Sequence, residues 1–139
     1  MKSIVIWSVI GKGARYMKKV VLVVDDTATV RSLAQYALTK AGYTVIEAID
    51  GITGLAIVKA ARVDLIISDI NMPNMNGLDM VKEIKKDAKL KNIPIFFLTG
   101  LSNPQSAEEG KKLGVTGWIV KPFLPDKLLA AVNKILKGK

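Results

Sequence analysis

An open, doubly wound α/β sheet of five parallel strands is the fold class this sequence predicts, and three observations predict it. Short apolar runs rich in β-branched residues alternate with helical stretches five times in succession. The first of these runs, Val20 to Val24, is apolar at every position, as a strand covered by helices on both faces must be. At 139 residues the chain is too short to close an eight-stranded barrel, which leaves an open sheet whose right-handed crossovers put helices on both sides.

Each element has its own warrant. Met17-Lys18-Lys19 reads as a fresh start leading into the strand Val20 to Val24. Thr27 and Thr29 offer hydroxyl caps for a helix running to Lys40, and Gly42 stops it. Tyr43 to Ala48 reads as the second strand, Gly54 to Ala61 as the second helix, and Asp64 to Ser68 as a strand closed by Asp69. Met72-Pro73 breaks the chain into a loop, and helical periodicity returns from Leu78 to Asp87. Pro94 opens the strand Ile95 to Leu98, closed by Thr99, and a fourth helix follows over Pro104 to Leu113. Gly117 to Val120 is the last strand, and Asp126 to Leu136 the last helix, with Leu128, Leu129, Val132, Ile135 and Leu136 on one apolar stripe. Neither a solenoid repeat nor a low-complexity linker interrupts the pattern.

Composition narrows the function. Half the residues are apolar, which suits one domain with a real core and leaves no room for a second. Cysteine and histidine are both absent, which excludes disulfides, thiolate or imidazole zinc sites and His-based catalysis. The net charge of +9 invites a nucleic-acid reading, but Lys2, Lys12 and Arg15 lie in the first sixteen residues. The lysines at 82, 85, 86 and 89, and those at 127, 134 and 137, fall on helical stretches without interleaved aromatics, so solvated helix faces are expected and a nucleic-acid partner is not.

Residues 1–17 stand apart from the core expected over 18–139. Their apolar run, Ile4 to Ile10, lacks the length of a signal core with its cleavage site and falls short of the about 18 apolar residues of a membrane span. Two readings stay open: an extra β-strand on a sheet edge, since Ile, Val and Trp favour strands, or a leader outside the domain.

The order of charged residues carries the chemistry. Asp25-Asp26, Asp69, Thr99 and Lys121-Pro122 each follow a predicted strand, so in a parallel sheet all of them reach its carboxyl edge, where open α/β sheets hold ligands. Three carboxylates in one cleft raise each other's cost of ionisation unless a cation compensates. Mg²⁺ suits oxygen ligands, keeps several waters and needs only one or two carboxylates beside a phosphate oxygen. Taken singly, each group has an ordinary role: an aspartate pair caps a helix, a lysine faces solvent and a threonine caps a turn. The combination points to a site for a divalent cation and a phosphoryl group.

At these residues the chain resembles the response-regulator receiver family, from about Lys18 to Lys137. The resemblance implies a flavodoxin-like (βα)5 fold with strand order 2-1-3-4-5, and it implies a role for each residue. Asp69, within Ser68-Asp69-Ile70-Asn71-Met72-Pro73, matches the phosphoacceptor. Asp25 and Asp26 match the acidic pair that holds Mg²⁺ together with Asp69 and the Asn71 main-chain carbonyl. Thr99 matches the switch hydroxyl, Lys121 the family lysine, and the Lys121-Pro122 bond is expected to be cis. Gly100 leaves the cleft open beside the phosphoryl position, while Asn71 and Leu101 occupy the two positions through which the family tunes phosphoryl loss; apolar Leu101, hindering an attacking water, predicts a moderately long-lived acyl phosphate. Trp118 takes the place of the usual Tyr or Phe switch aromatic, and its indole N–H needs a partner when turned inward.

The function so implied is that of a stand-alone receiver. It takes a phosphoryl group from a sensor histidine kinase, a phosphotransfer protein or a small phosphodonor, and passes the signal to a downstream target protein through the fourth helix, last strand and last helix. Chemotaxis or motility signalling and phosphorelay shuttling both fit, in the cytoplasm, with no membrane insertion and no enzymatic turnover beyond its own phosphorylation and dephosphorylation. A haloacid-dehalogenase-like phosphatase would need its nucleophile after the first strand in Asp-x-Asp and its acidic pair late, the reverse of the order here. A receiver fold that docks without phosphorylation is the alternative function, although this chain keeps the whole acidic set and the lysine.

Overall fold

The computed structural model describes residues 18–100 and 104–137. In chain order its elements are β1 (Val20–Val24), α1 (Ala28–Lys40), β2 (Thr44–Ala48), α2 (Gly51–Ala60), β3 (Leu65–Asp69), α3 (Gly77–Lys86), β4 (Ile95–Thr99), α4 (Pro104–Leu113), β5 (Gly117–Val120) and α5 (Pro125–Leu136). The strands form one parallel sheet in the order β2-β1-β3-β4-β5, the flavodoxin-like arrangement expected. The segment Ile4 to Ile10 lies outside the described residues, as does Leu101.

Alternation along the strands divides the interior into two cores. Leu22, Val24, Ile66, Ile95 and Phe97 meet α2 and α3 on one face through Val58, Met80, Val81 and Ile84. Val21, Val23, Leu65, Ile67, Phe96 and Leu98 meet α1 and α5 on the other through Ala34, Leu38, Leu128 and Val132. Because β1, β3 and β4 are covered on both sides, nearly every residue in them is buried. At the sheet edges the burial lapses: Thr44 and Glu47 of β2 and Val120 of β5 face solvent. On α5, Leu128 and Val132 are wholly enclosed, and Leu129, Ile135 and Leu136 pack more shallowly along the expected stripe.

Local chemistry moves some boundaries. Thr27 is the N-cap of α1 but makes no side-chain cap, contrary to expectation; the Asp25 carboxylate instead accepts from the Thr27 amide at 2.8 Å. The helix α2 begins at Gly51, ahead of the expected Gly54, because Asp50 and Thr53 form a reciprocal capping box that secures the first turn. Likewise Asp69 and Thr99 belong to the ends of their strands. Gly42, at φ 102°, follows the end of α1 in the left-handed region that favours glycine.

Candidate functional site

The site is assembled where β1, β3, β4 and β5 end together. Pairing aligns Val24 with Ser68, Asp69 with Leu98 and Thr99 with Val120, so Asp25, Asp69, Thr99 and Lys121 emerge within about two residue steps of a common edge. Asp25 is wholly buried, Asp69 is largely so, and Asp26 faces solvent. Carboxylate oxygens of the three lie within 4.8 Å of one another.

Lys121 supplies the counter-charge. Its Nζ stands 3.0 Å from Asp25 Oδ2 and 3.3 Å from Asp69 Oδ2, so the side chain reaches back across the cleft as expected. The bond joining it to Pro122 is cis. Burial alone lowers the affinity of the ammonium for its proton, but the two carboxylates beside it outweigh burial and hold its pKa above the ordinary lysine value. For Asp69 the balance runs upward as well: burial pushes its carboxyl above the usual range and the Asp25 charge adds to this, against the opposing pull of Lys121.

The main chain fixes these groups in direction. Asp25 Oδ1 accepts from the Thr27 amide, and Asp69 Oδ1 accepts from the Ile70 amide at 2.8 Å. Arg31, which sequence reading did not single out, donates from Nη1 to the Asp25 carbonyl at 2.7 Å and pairs through Nε with Glu47 at 3.1 Å. One turn into α1, it ties the end of β1 to the neighbouring strand. Its only signal in the sequence was its spacing from Asp25, which does not distinguish it from a solvated arginine.

The residues present fit a divalent cation. Asp25 Oδ2 is buried and has no aligned hydrogen-bond donor among the described residues, and Lys121 supplies its counter-charge. An exposed Asp26 leaves the cluster open on one side, and hard oxygen donors are the ligand class that Mg²⁺ takes. Asn71 is exposed in the loop that follows Asp69, and Gly100 is exposed with open space where a Cβ would stand.

Thr99 shares the edge, with its hydroxyl donating to the Gly100 carbonyl at 3.2 Å and the Lys121 amide donating to its own carbonyl at 2.8 Å. Trp118 lies opposite Phe97 in register and packs on the α3 side of the sheet, the side to which alternation also assigns Thr99. Its Nε1 is buried with no hydrogen-bond partner among the described residues. Trp118 also borders a groove of ≈430 Å³ shared with Val120, Pro122, Leu124 and Lys127.

Known proteins share this fold. The family model described as the response regulator receiver domain matches residues 21–133. Chemotaxis protein CheY-3 of Vibrio cholerae is 36% identical over 118 residues, 84% of this chain and 91% of that protein. Chemotaxis protein CheY1 of Helicobacter pylori is 38% identical over 117 residues, covering 83% and 94% respectively. Among solved structures, the chemotaxis response regulator CheY4 of Vibrio cholerae superposes with a TM-score of 0.81 at 42% identity, over 86% of this chain and all of that one. Family model, relatives and solved folds coincide over the same stretch, so the protein belongs to the response regulator receiver domain family.

Proposed function

We propose that this receiver accepts a phosphoryl group on Asp69 from a sensor histidine kinase, a phosphotransfer protein or a small phosphodonor, and signals by changing its affinity for a downstream protein. The observation that carries the reading is Lys121 Nζ held between Asp25 and Asp69, with Asp26 completing the acidic cluster. An Asp69 carboxylate oxygen attacks phosphorus, the bond from phosphorus to the donor nitrogen or oxygen breaks, and the electron pair leaves with the donor. Lys121 and the Thr99 hydroxyl take up phosphoryl oxygens, so much of the rate comes from charges and dipoles already in position. Asp25, Asp26, Asp69 and the Asn71 carbonyl would hold Mg²⁺, which when bound neutralises charge on the phosphoryl oxygens.

Output follows from the same contacts. Drawing Thr99 toward the acyl phosphate opens space on the side of the sheet that Trp118 occupies, and the indole then repacks the face formed by α4, β5 and α5. The chemotaxis relatives support chemotaxis or motility signalling, with a phosphorelay as the other pathway, both in the cytoplasm. No helix among the described residues is long and apolar enough to cross a membrane. The family match from residue 21 supports a receiver core that starts after residue 17.

Intact mass after incubation with acetyl phosphate and Mg²⁺ tests the reading. The expected result is one added phosphoryl group, absent with EDTA and absent in Asp69→Ala. No addition from acetyl phosphate or phosphoramidate, and no beryllofluoride response in Trp118 fluorescence, would leave the phosphorylation-independent docking module as the function.

A further inference from the structure

The loop that carries Asn71 is held from outside the cleft. It leaves β3 at Ile70, whose carbonyl accepts from the Gly77 amide at 2.8 Å, and it enters α3 through the N-cap Asn76. Its far half is fastened to the N-terminus of α2. Asn74 Nδ2 donates to Asp50 Oδ2 at 2.7 Å, and the Gly51 amide donates to the Met75 carbonyl at 2.9 Å. Asp50 is buried, and its other oxygen accepts from the Thr53 amide at 2.8 Å, so one carboxylate caps α2 and grips the loop at once. Those bonds hold its carboxyl below the usual range, the Thr53 amide contributing most and Asn74 next, which keeps it an acceptor at neutral pH. Asn74 sits at φ 69°, a conformation Asn tolerates and the grip stabilises. At Gly51 a Cβ would stand 2.6 Å from the Met75 carbonyl oxygen, so the two segments approach as closely as their backbones allow. Asn71, Met72 and Pro73 are thus suspended between two anchors.

We infer that Asp50 and Asn74 are positioning residues for Asn71: their bond sets where the Asn71 carbonyl lies relative to Asp69, and so sets divalent affinity although neither residue belongs to the acidic cluster. The inference rests on the proposed receiver chemistry, and it extends the site to a turn between β2 and α2. Groups hydrogen-bonded to a metal's ligands commonly change affinity by about 10–100-fold when removed, and Asn74, acting three residues along the loop from Asn71, is expected at the low end of that range.

Two substitutions separate the grip from the fold. Asp50→Ser retains an oxygen to cap α2 but has no second oxygen for Asn74. Asn74→Gly tolerates the positive φ while removing the side-chain donor. Mg²⁺ titration of the full chain by amide NMR is expected to show binding at Asp69 and Asn71, weakened about tenfold in each variant and no further in the double variant, because both remove one bond. Hydrogen exchange at residues 71–76 should quicken in the same variants. Affinities within twofold of the parent would overturn the inference while leaving the receiver reading intact. Failure of the parent chain to bind Mg²⁺ would overturn the receiver reading, and the inference with it.

Discussion

Lys121 stands between two carboxylates, 3.0 Å from Asp25 and 3.3 Å from Asp69. Removing it strands a fully buried aspartate beside a second charge. Lys121→Met is expected to cost about 2–3 kcal/mol in urea unfolding without divalent cations, less than a fully enclosed pair because 25% of the lysine side chain meets solvent, and added Mg²⁺ should restore part of the loss. Asp69 gives the opposite sign. Its carboxyl is held above the usual range, so the folded protein binds that proton more tightly than the unfolded chain, and stability falls as pH rises from the ordinary carboxylate value through the raised one. Asp69→Asn is therefore expected to stabilise the protein at pH 7, the gain fading as pH falls through the raised value and gone below about pH 4, where the unfolded aspartate protonates as well. An equal denaturation midpoint for both chains at neutral pH would refute that charge balance.

At the scale of elements, the site depends on how closely α3 approaches β3. Gly77 opens the helix directly against the strand end, and a Cβ there would lie 2.3 Å from the Asp69 carbonyl oxygen and 3.1 Å from both Ile70 Cα and Phe97 Cε1. Two of the three are backbone atoms that cannot turn aside, so Gly77→Ala must push α3 away or shift Asp69. The expected cost is about 2–3 kcal/mol, read as a lower thermal midpoint, together with slower phosphorylation by acetyl phosphate. Gly54 faces a softer neighbour, the Met80 sulfur at 2.8 Å, and Gly54→Ala should cost less because a thioether can adopt another rotamer.

Over the whole molecule, one sheet separates two cores that share no buried side chains, and the sheet common to both is expected to make them unfold together. Ile84 lies in the core under α2 and α3, and Ile119 in the core under α1 and α5. Ile84→Val and Ile119→Val should each cost about 1 kcal/mol and sum within about 0.5 kcal/mol in the double variant, in a single transition seen alike by fluorescence and circular dichroism. Two separate transitions would show that the sheet does not couple its faces.

The amino-acid order alone determined the five βα units, because short apolar runs, Val20–Val24 apolar throughout, recur between helical stretches. It also determined that Asp25, Asp26, Asp69, Thr99 and Lys121 would meet, since parallel strands put every strand end on one edge. The strand order came from resemblance, as local pattern does not say which strands are neighbours. Only the tertiary structure decided the directions. Thr27 yielded its capping role to Asp25, Arg31 turned back onto the Asp25 carbonyl, and Asp50 found Asn74 across 24 residues of chain. Nor could the sequence say that the Trp118 N–H would be buried without a partner among the described residues. Periodicity fixes which face a residue takes, whereas a hydrogen bond needs an angle and a few tenths of an ångström, and those exist only once the sheet and helices have packed.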